Sequence, residues 1–190
     1  GTSYQYAVGL DLLGVVIQRA SRMPFEDFLQ ARIFNPLGMD DTGFYVPASD
    51  IARLTSNYLV QEDRSLRVVD DRAASPYAAP SMLYGGAGLV SSTADYARFC
   101  AMLLGRGASG RVRIAREETI ALATSNLLPA GVDTSAIGRA NFGAGMQIVT
   151  TASATAGEEP AGSFGWSGAA GTHMWVDPAN DIYAVLMVQH

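Results

Sequence analysis

Apolar residues follow two different rhythms along this chain. From Ala7 to Ser21 they recur at helical spacing: Val8, Leu12, Val15 and Val16 form one stripe, widened by Leu13, Ile17 and Ala20. Met23-Pro24 interrupts that helix. Pro24 opens a second one, reaching to Phe34, with Glu26 and Asp27 in the first turn, where the helix dipole favours acids. Asn35-Pro36-Leu37-Gly38 stops it, and the two helices are expected to pack through Leu13, Ile17, Phe25, Phe28, Leu29 and Ile33. Toward the C-terminus the rhythm becomes that of strands. Thr172 to Val176 and Ile182 to Val188 flank Asp177-Pro178-Ala179-Asn180-Asp181, a run of turn formers, and so predict a hairpin. The second of these strands is continuously apolar, which predicts cover on both faces.

The middle of the chain is less regular. A short helix is expected over Ser49 to Leu54, capped by Ser49 or Asp50, and a hairpin pairing Tyr58 to Val60 with Leu66 to Val69. Tyr77 to Leu83, with Pro76 and Pro80, reads as irregular. Gly85-Gly86-Ala87-Gly88-Leu89 reads as a turn; a phosphate-cradling loop is the other reading, but no lysine follows to support it. Ser92-Thr93-Ala94-Asp95 resembles a capping box opening a helix to Leu104, and Arg116 to Ser125 supplies another. Phe142 to Val149 reads as a strand, and residues 150–162 as an exposed loop. Gly165-Trp166-Ser167-Gly168-Ala169-Ala170-Gly171 holds three glycines, one reason for which is close approach of a ligand to backbone.

Composition narrows the chemistry. With 190 residues, 48% hydrophobic and 16% charged, the chain can bury a core. A net charge of −5 gives no footprint for nucleic acid, and no apolar run reaches the roughly 20 residues of a membrane span. All thirteen basic residues are arginine. The chain taken alone therefore has no Schiff-base lysine, no P-loop and no lysine-assisted serine. Two histidines, His173 and His190, and one cysteine, Cys100, make a zinc site of the usual kind hard to assemble, so no metal and no cofactor are expected. The chain opens at Gly1 in what reads as mid-sequence, so export is not judged from it and the compartment stays open, with the cytoplasm slightly favoured.

Four stretches resemble one family. Gly1-Thr2-Ser3-Tyr4-Gln5-Tyr6-Ala7-Val8-Gly9-Leu10-Asp11-Leu12-Leu13-Gly14 is similar to the G-T-x-W-x-Y-S-x-x-x-D-x-L-G segment of serine β-lactamase-like hydrolases, notably the esterase branch. Ile33 to Thr42 resembles the family's I-F-x-P-L-G-M-x-D-T. Gly85 to Leu89 with Ser92 to Phe99 resembles G-G-x-G-L-x-S-T-x-x-D-x-x-R-F. Gly165 to Pro178 resembles its final active-site strand, G-W-G-G-A-x-G-T-x-x-W-V-D-P. The resemblance implies an α+β fold of the β-lactamase/transpeptidase type: an antiparallel sheet flanked by helices, beside a mostly helical region, with the site between them. On this basis residues 1–139 form the mostly helical part and 140–190 the C-terminal strands.

The resemblance also implies acyl transfer through a serine in S-x-x-K. That motif is expected upstream of Gly1, in the same gene or a companion chain, and the family's last strand and helix beyond His190. The chain is thus expected to be incomplete at both ends. Tyr6 takes the place of the family's proton-shuttling tyrosine, a role that needs cations to stabilise a phenolate. Ala7 departs from the usual serine, and Val8 stands where β-lactamases and penicillin-binding proteins carry asparagine, which points toward esters. Tyr4 takes the Trp position and is assigned to the substrate wall. Trp166, Ser167, Gly168 and Ala169 form the active-site strand; Trp166 replaces the Lys of K-T-G, and the Ala169 N–H is expected to be half the oxyanion hole.

The expected function is a carboxylesterase acting on a small ester or amide; the alternatives are a β-lactamase or D,D-peptidase, and a non-catalytic ligand-binding domain. Gly165-Trp166-Ser167-Gly168-Ala169 also nearly matches a G-x-S-x-G elbow, with Asp181 and His190 following, but an elbow requires a helix after the serine and here a strand follows. His173 reads as an ordinary strand residue and not a base, and Asp11 as a structural acceptor. By itself the chain is therefore expected to form no adduct with a fluorophosphonate.

Overall fold

Helix α1 (Gly9–Ser21) starts two residues later than the expected Ala7, and Arg22 closes it in the left-handed conformation. Its stripe faces outward: Val8, Leu12, Leu13, Val15 and Val16 are all exposed, and Gly14 is the helix's buried residue. The expected packing through Leu13 is thus not what docks the helix. Gly14 is pressed between a ring carbon of Phe25 and the backbone of Gly85, where any side chain would lie 3.2–3.4 Å from both. Helix α2 (Phe25–Leu29) runs into a π-helical turn, Gln30–Phe34, and a last turn, α3 (Asn35–Leu37), before Gly38 ends it with φ of 66°. Pro36 has no N–H to give a helical ladder, and the backbone widens just ahead of it, Asn35 donating to the Gln30 carbonyl five residues back.

This computed structural model describes residues 2–79, 83–138, 140–151 and 159–189. The helix expected over residues 49–54 is a single 3-10 turn, Ile51–Arg53, without a side-chain cap. The hairpin that follows forms as β1 (Asn57–Val60) and β2 (Leu66–Asp70). Of the segment 77–83, residues 80–82 lie outside the described ones; Pro76–Ala78 is another 3-10 turn. Helix α4 (Thr93–Leu104) begins at Ser92, whose Oγ accepts the Asp95 N–H at 3.3 Å. The box is completed differently from the expectation. The Asp95 carboxylate turns away from the helix start and accepts the Asp41 N–H at 2.7 Å, the Thr42 hydroxyl at 3.0 Å and an Arg98 N–H at 2.6 Å. It pins the segment after α3 to α4.

A two-residue ladder, β3 (Ala108–Ser109) with β4 (Val112–Arg113), precedes α5 (Glu117–Ala123). Residues 142–149, expected as one strand, instead fold into a small hairpin of β5 (Asn141–Phe142) and β6 (Gln147–Ile148). Gly143 and Gly145 make the turn, Gly145 with φ of 81°. These strands open a five-stranded antiparallel sheet in the order β5-β6-β7-β8-β9, with β7 (Phe164–Ser167), β8 (His173–Asp177) and β9 (Ile182–Leu186). Of the expected loop 150–162, residues 152–158 lie outside the described ones.

Register decides which side of the sheet meets the core. Ile148 pairs with Phe164 and Phe164 with Val176, so these three share a face with Met174, and all four are buried. Cys100, Met102 and Leu103 of α4 and Phe34 and Leu37 of the first helical region belong to the same cluster, so one core draws on both halves of the chain. The opposite face carries Gln147, Val149, Gly165, Ser167, His173 and Trp175. Strand β9 is the sheet edge, and Ile182, Tyr183 and Leu186 are exposed, contrary to the cover on both faces that its apolar run predicts.

Candidate active site

Four aromatic rings make a row along one side of the β5–β8 strands. Tyr4 lies 4.9 Å from Phe142, Phe142 meets Trp166 edge-on at 5.3 Å, and Trp166 lies 5.4 Å from Tyr6, measured between ring centroids. The N-terminal segment reaches this position through backbone pairing. The Tyr4 N–H donates to the Asp133 carbonyl at 2.8 Å, and the Asp133 N–H to Thr2 at 2.9 Å. The Asp133 carboxylate, held low by the Ser135 N–H and hydroxyl, braces its own loop through the 2.9 Å bond to that N–H. Tyr6 therefore sits just ahead of α1, largely exposed, on the ring of Trp166. Burial, and then the neighbouring Tyr6, raise the Tyr4 phenol, so Tyr4 resists ionising.

The α1 end of this arrangement is fixed by glycines. A Cβ on Gly85 would lie 2.0 Å from the Leu10 carbonyl oxygen, and the Gly86 N–H donates to Asp11 at 3.0 Å. The glycine run is thus a turn that seats α1, and Asp11 is a structural acceptor. The backbone of Gly85 and Gly86 is spent on the helix and does not form a phosphate cradle.

On the other side of Trp166, strand β7 leads into the loop 168–172. The Gly168 N–H donates to Thr172 O at 2.8 Å, and the Gly171 N–H returns to Gly168 O at 3.1 Å. Between them, the Ala169 N–H donates to no backbone carbonyl among the described residues. Glycine is required here by neighbouring chain. A Cβ on Gly165 would stand 2.1 Å from the Met174 carbonyl oxygen, and one on Gly168 2.2 Å from Thr172 Oγ1. Strand-to-strand contact accounts for Gly165, and the Thr172 side chain lies against Gly168 within the loop.

Ser167 is placed differently from the elbow its neighbours resemble. It lies at the end of β7 with another strand following, Asp181 sits in the β8–β9 turn, and His190 is outside the described residues. Its partner is His173, directly opposite on β8: Ser167 Oγ and His173 Nδ1 are 2.9 Å apart. His173 Nε2 in turn lies 2.7 Å from Glu159 Oε1. A carboxylate can only accept, so Nε2 carries a proton, and His173 is more than the ordinary strand residue expected. One signal in the sequence points this way, the five-residue turn that sets His173 across from Ser167; Glu159, one of two adjacent acids in a loop, carries none. Phe142, which bridges Tyr4 and Trp166, carries no such signal, because its place depends on the unexpected β5–β6 turn.

Residues 1–190 match the β-lactamase family profile along their whole length. The uncharacterized protein MT1414 of Mycobacterium tuberculosis is 32% identical over 201 residues, covering 100% of this chain and 49% of that protein. Esterase EstB of Burkholderia gladioli is 29% identical over 204 residues, covering 98% of this chain and 50% of its own length. Among solved structures, a mutant of simvastatin synthase LovD from Aspergillus terreus superposes with a TM-score of 0.84 at 23% identity, over 100% of this chain and 50% of that one. That likeness establishes the β-lactamase/transpeptidase-like fold. The chain spans about half the length of the curated relatives it matches. It belongs to the β-lactamase family.

Proposed function

We propose that this chain forms part of a serine hydrolase that cleaves small-molecule esters through an acyl-serine intermediate. The observation that carries the reading is the contact between Tyr6 and Trp166 at 5.4 Å, beside a loop whose Ala169 N–H has no backbone acceptor among the described residues. In this reading the nucleophile belongs to an S-x-x-K segment outside the 190 residues. Tyr6 carries the proton between that serine and the leaving alcohol. The Ala169 N–H holds the oxyanion together with the serine's own N–H, a pair of donors aimed where charge develops. Tyr4, Phe142 and Trp166 supply an apolar wall for the acyl group or the alcohol.

Trp166 and Val8 favour esters over β-lactams. An indole at position 166 cannot pair with a substrate carboxylate as an ammonium would, and Val8 offers no amide for hydrogen bonding. A relative named as an esterase, aligned over 98% of this chain, supports the same ranking. The test compares kcat/KM of the full-length protein on a short-chain aryl ester and a chromogenic cephalosporin. Faster ester turnover is expected. Faster cephalosporin turnover reverses the assignment, and no turnover of either, with no upstream S-x-x-K in the gene, makes the protein a binding domain.

A further inference from the structure

Ser167, His173 and Glu159 form a continuous hydrogen-bonded chain, 2.9 Å and 2.7 Å long at its two links. All three border one pocket, which Gln147, Ser163 and Trp175 also line. This pocket lies on the sheet face away from the core. Strand pairing puts Gln147 beside Gly165, and His173 beside Ser167, on that face. The Ser163 hydroxyl is fully buried at its margin and has no hydrogen-bond partner among the described residues. An unpaired buried hydroxyl next to a cavity is satisfied at least cost by a polar atom entering that cavity.

We propose that Ser167 is a second nucleophile, activated within this chain by His173 and Glu159 and independent of any serine outside it. A nucleophile, a base within hydrogen-bond reach and a third group orienting the base are recognised by geometry and not by chain order. In the first step Ser167 Oγ bonds to the acyl carbon while its proton passes to His173 Nδ1. The Nε2 proton stays on the Glu159 hydrogen bond, which steadies the imidazolium. Collapse of the tetrahedral adduct breaks the ester C–O bond, and the departing alkoxide takes the proton from Nδ1. Water then repeats the sequence: its proton goes to Nδ1, its oxygen to the acyl carbon, and Ser167 leaves with the proton restored. Gln147, whose side-chain amide is a donor, is the residue placed to meet the oxyanion. The indole of Trp175 and the side chain of Val149 give the pocket apolar walls, which select small esters with an apolar acyl group.

The test treats the full-length protein with an alkyl fluorophosphonate and locates each adduct by peptide mass spectrometry. Phosphonylation replaces the P–F bond by P–O and releases fluoride with the serine proton. An adduct on the peptide carrying Ser167 is expected, whatever other serine is labelled, and is absent in Ser167→Ala. His173→Gln should slow labelling about 10²-fold or more, the range of general-base catalysis. Glu159 acts through His173, so Glu159→Gln should slow labelling and Glu159→Asp should recover part of the rate, which a purely structural carboxylate would not require. Thermal melts of each variant, matched to the parent, keep folding out of the comparison. No adduct on Ser167 in the parent chain with its melting transition intact overturns the proposal, as does a labelling rate in His173→Gln within about threefold of the parent. Because the adduct is read at Ser167 itself, the outcome is separate from the ester and cephalosporin rates that test the proposed function.

Discussion

Replacing Asp95 by alanine removes the joint between α4 and the segment after α3, and its cost can be worked from the three bonds the carboxylate accepts. Asp95 is 3% exposed, so none of them is shared with bulk water. The Asp41 N–H, at 2.7 Å, has a charged acceptor and loses roughly 1.5–3 kcal/mol with it. The Thr42 hydroxyl keeps Ser91 as a second partner at 2.8 Å, so its loss is about 1 kcal/mol. Arg98 is half-exposed and returns to water, and its exposed end of the pair is worth close to nothing. The expected total is about 3 kcal/mol, and for a chain of this size each kcal/mol lowers Tm by about 2–4 °C, giving a drop of about 6–12 °C. Asp95→Asn should not rescue it, because the amide turns N–H groups toward donors. Urea denaturation and a thermal melt measure both variants. A loss under about 1 kcal/mol, or an asparagine variant as stable as the parent, would refute the reasoning that this carboxylate is a joint.

In the full-length protein, the proposed role of Tyr6 in proton transfer predicts that Tyr6→Phe lowers kcat/KM for an aryl ester by about 10²–10⁴-fold with an unchanged melt, since only the phenolic oxygen is lost; a drop of a few-fold moves proton transfer to another group. Burial pushes the Cys100 thiol up to about 12, so in the native protein it should resist a disulfide reagent at pH 8 and react fully once unfolded. Stoichiometric reaction within minutes under native conditions would count against its place in the core. The Asp177 carboxyl is held low by the Asn180 side-chain amide and by the Ala179 and Asn180 N–H groups. A group lowered in the native state contributes above its unfolded range, near about 3.9, and that contribution is lost as pH falls through the lower native value. Asp177→Asn should therefore flatten the acid limb of the stability profile below about pH 4, and an unaltered limb would contradict this.

The elements legible in the sequence are those whose signals are local. The Ser92 cap and Gly105 stop bound α4, and the turn run after Asp177 sets the β8–β9 hairpin. What escaped depended on partners far along the chain. The apolar stripe of α1 predicts a buried face, but the helix docks through Gly14, because Gly85 and Phe25 leave room there for nothing larger. One apolar run from Phe142 to Val149 became two strands since Gly143 and Gly145 allow a turn that periodicity cannot see. The aromatic positions Tyr4, Tyr6 and Trp166 were legible only through their motifs. The chain from Ser167 to Glu159 needed the β7–β8 register and a loop residue, neither of which spacing alone provides.

The three close contacts at Gly85, Gly165 and Gly168 divide the candidate site into positions that can vary and positions that cannot. At Gly85 and Gly165 a backbone oxygen lies within 2.1 Å of where a Cβ would stand, so even alanine would shove α1 or a strand aside, while at Gly168 a Cβ would turn the Thr172 hydroxyl, 2.2 Å away, out of its place. Tyr4, Phe142 and Trp166, by contrast, touch one another through ring edges and faces, with side-chain freedom to spare. Random mutagenesis with selection on a new ester should accordingly recover changes among the aromatic residues while leaving the glycines as a fixed grid. If the proposed ester hydrolysis holds, substrate range and hairpin geometry are inherited separately: the aromatic positions can adapt to new acyl groups without loosening the loop that carries the Ala169 amide.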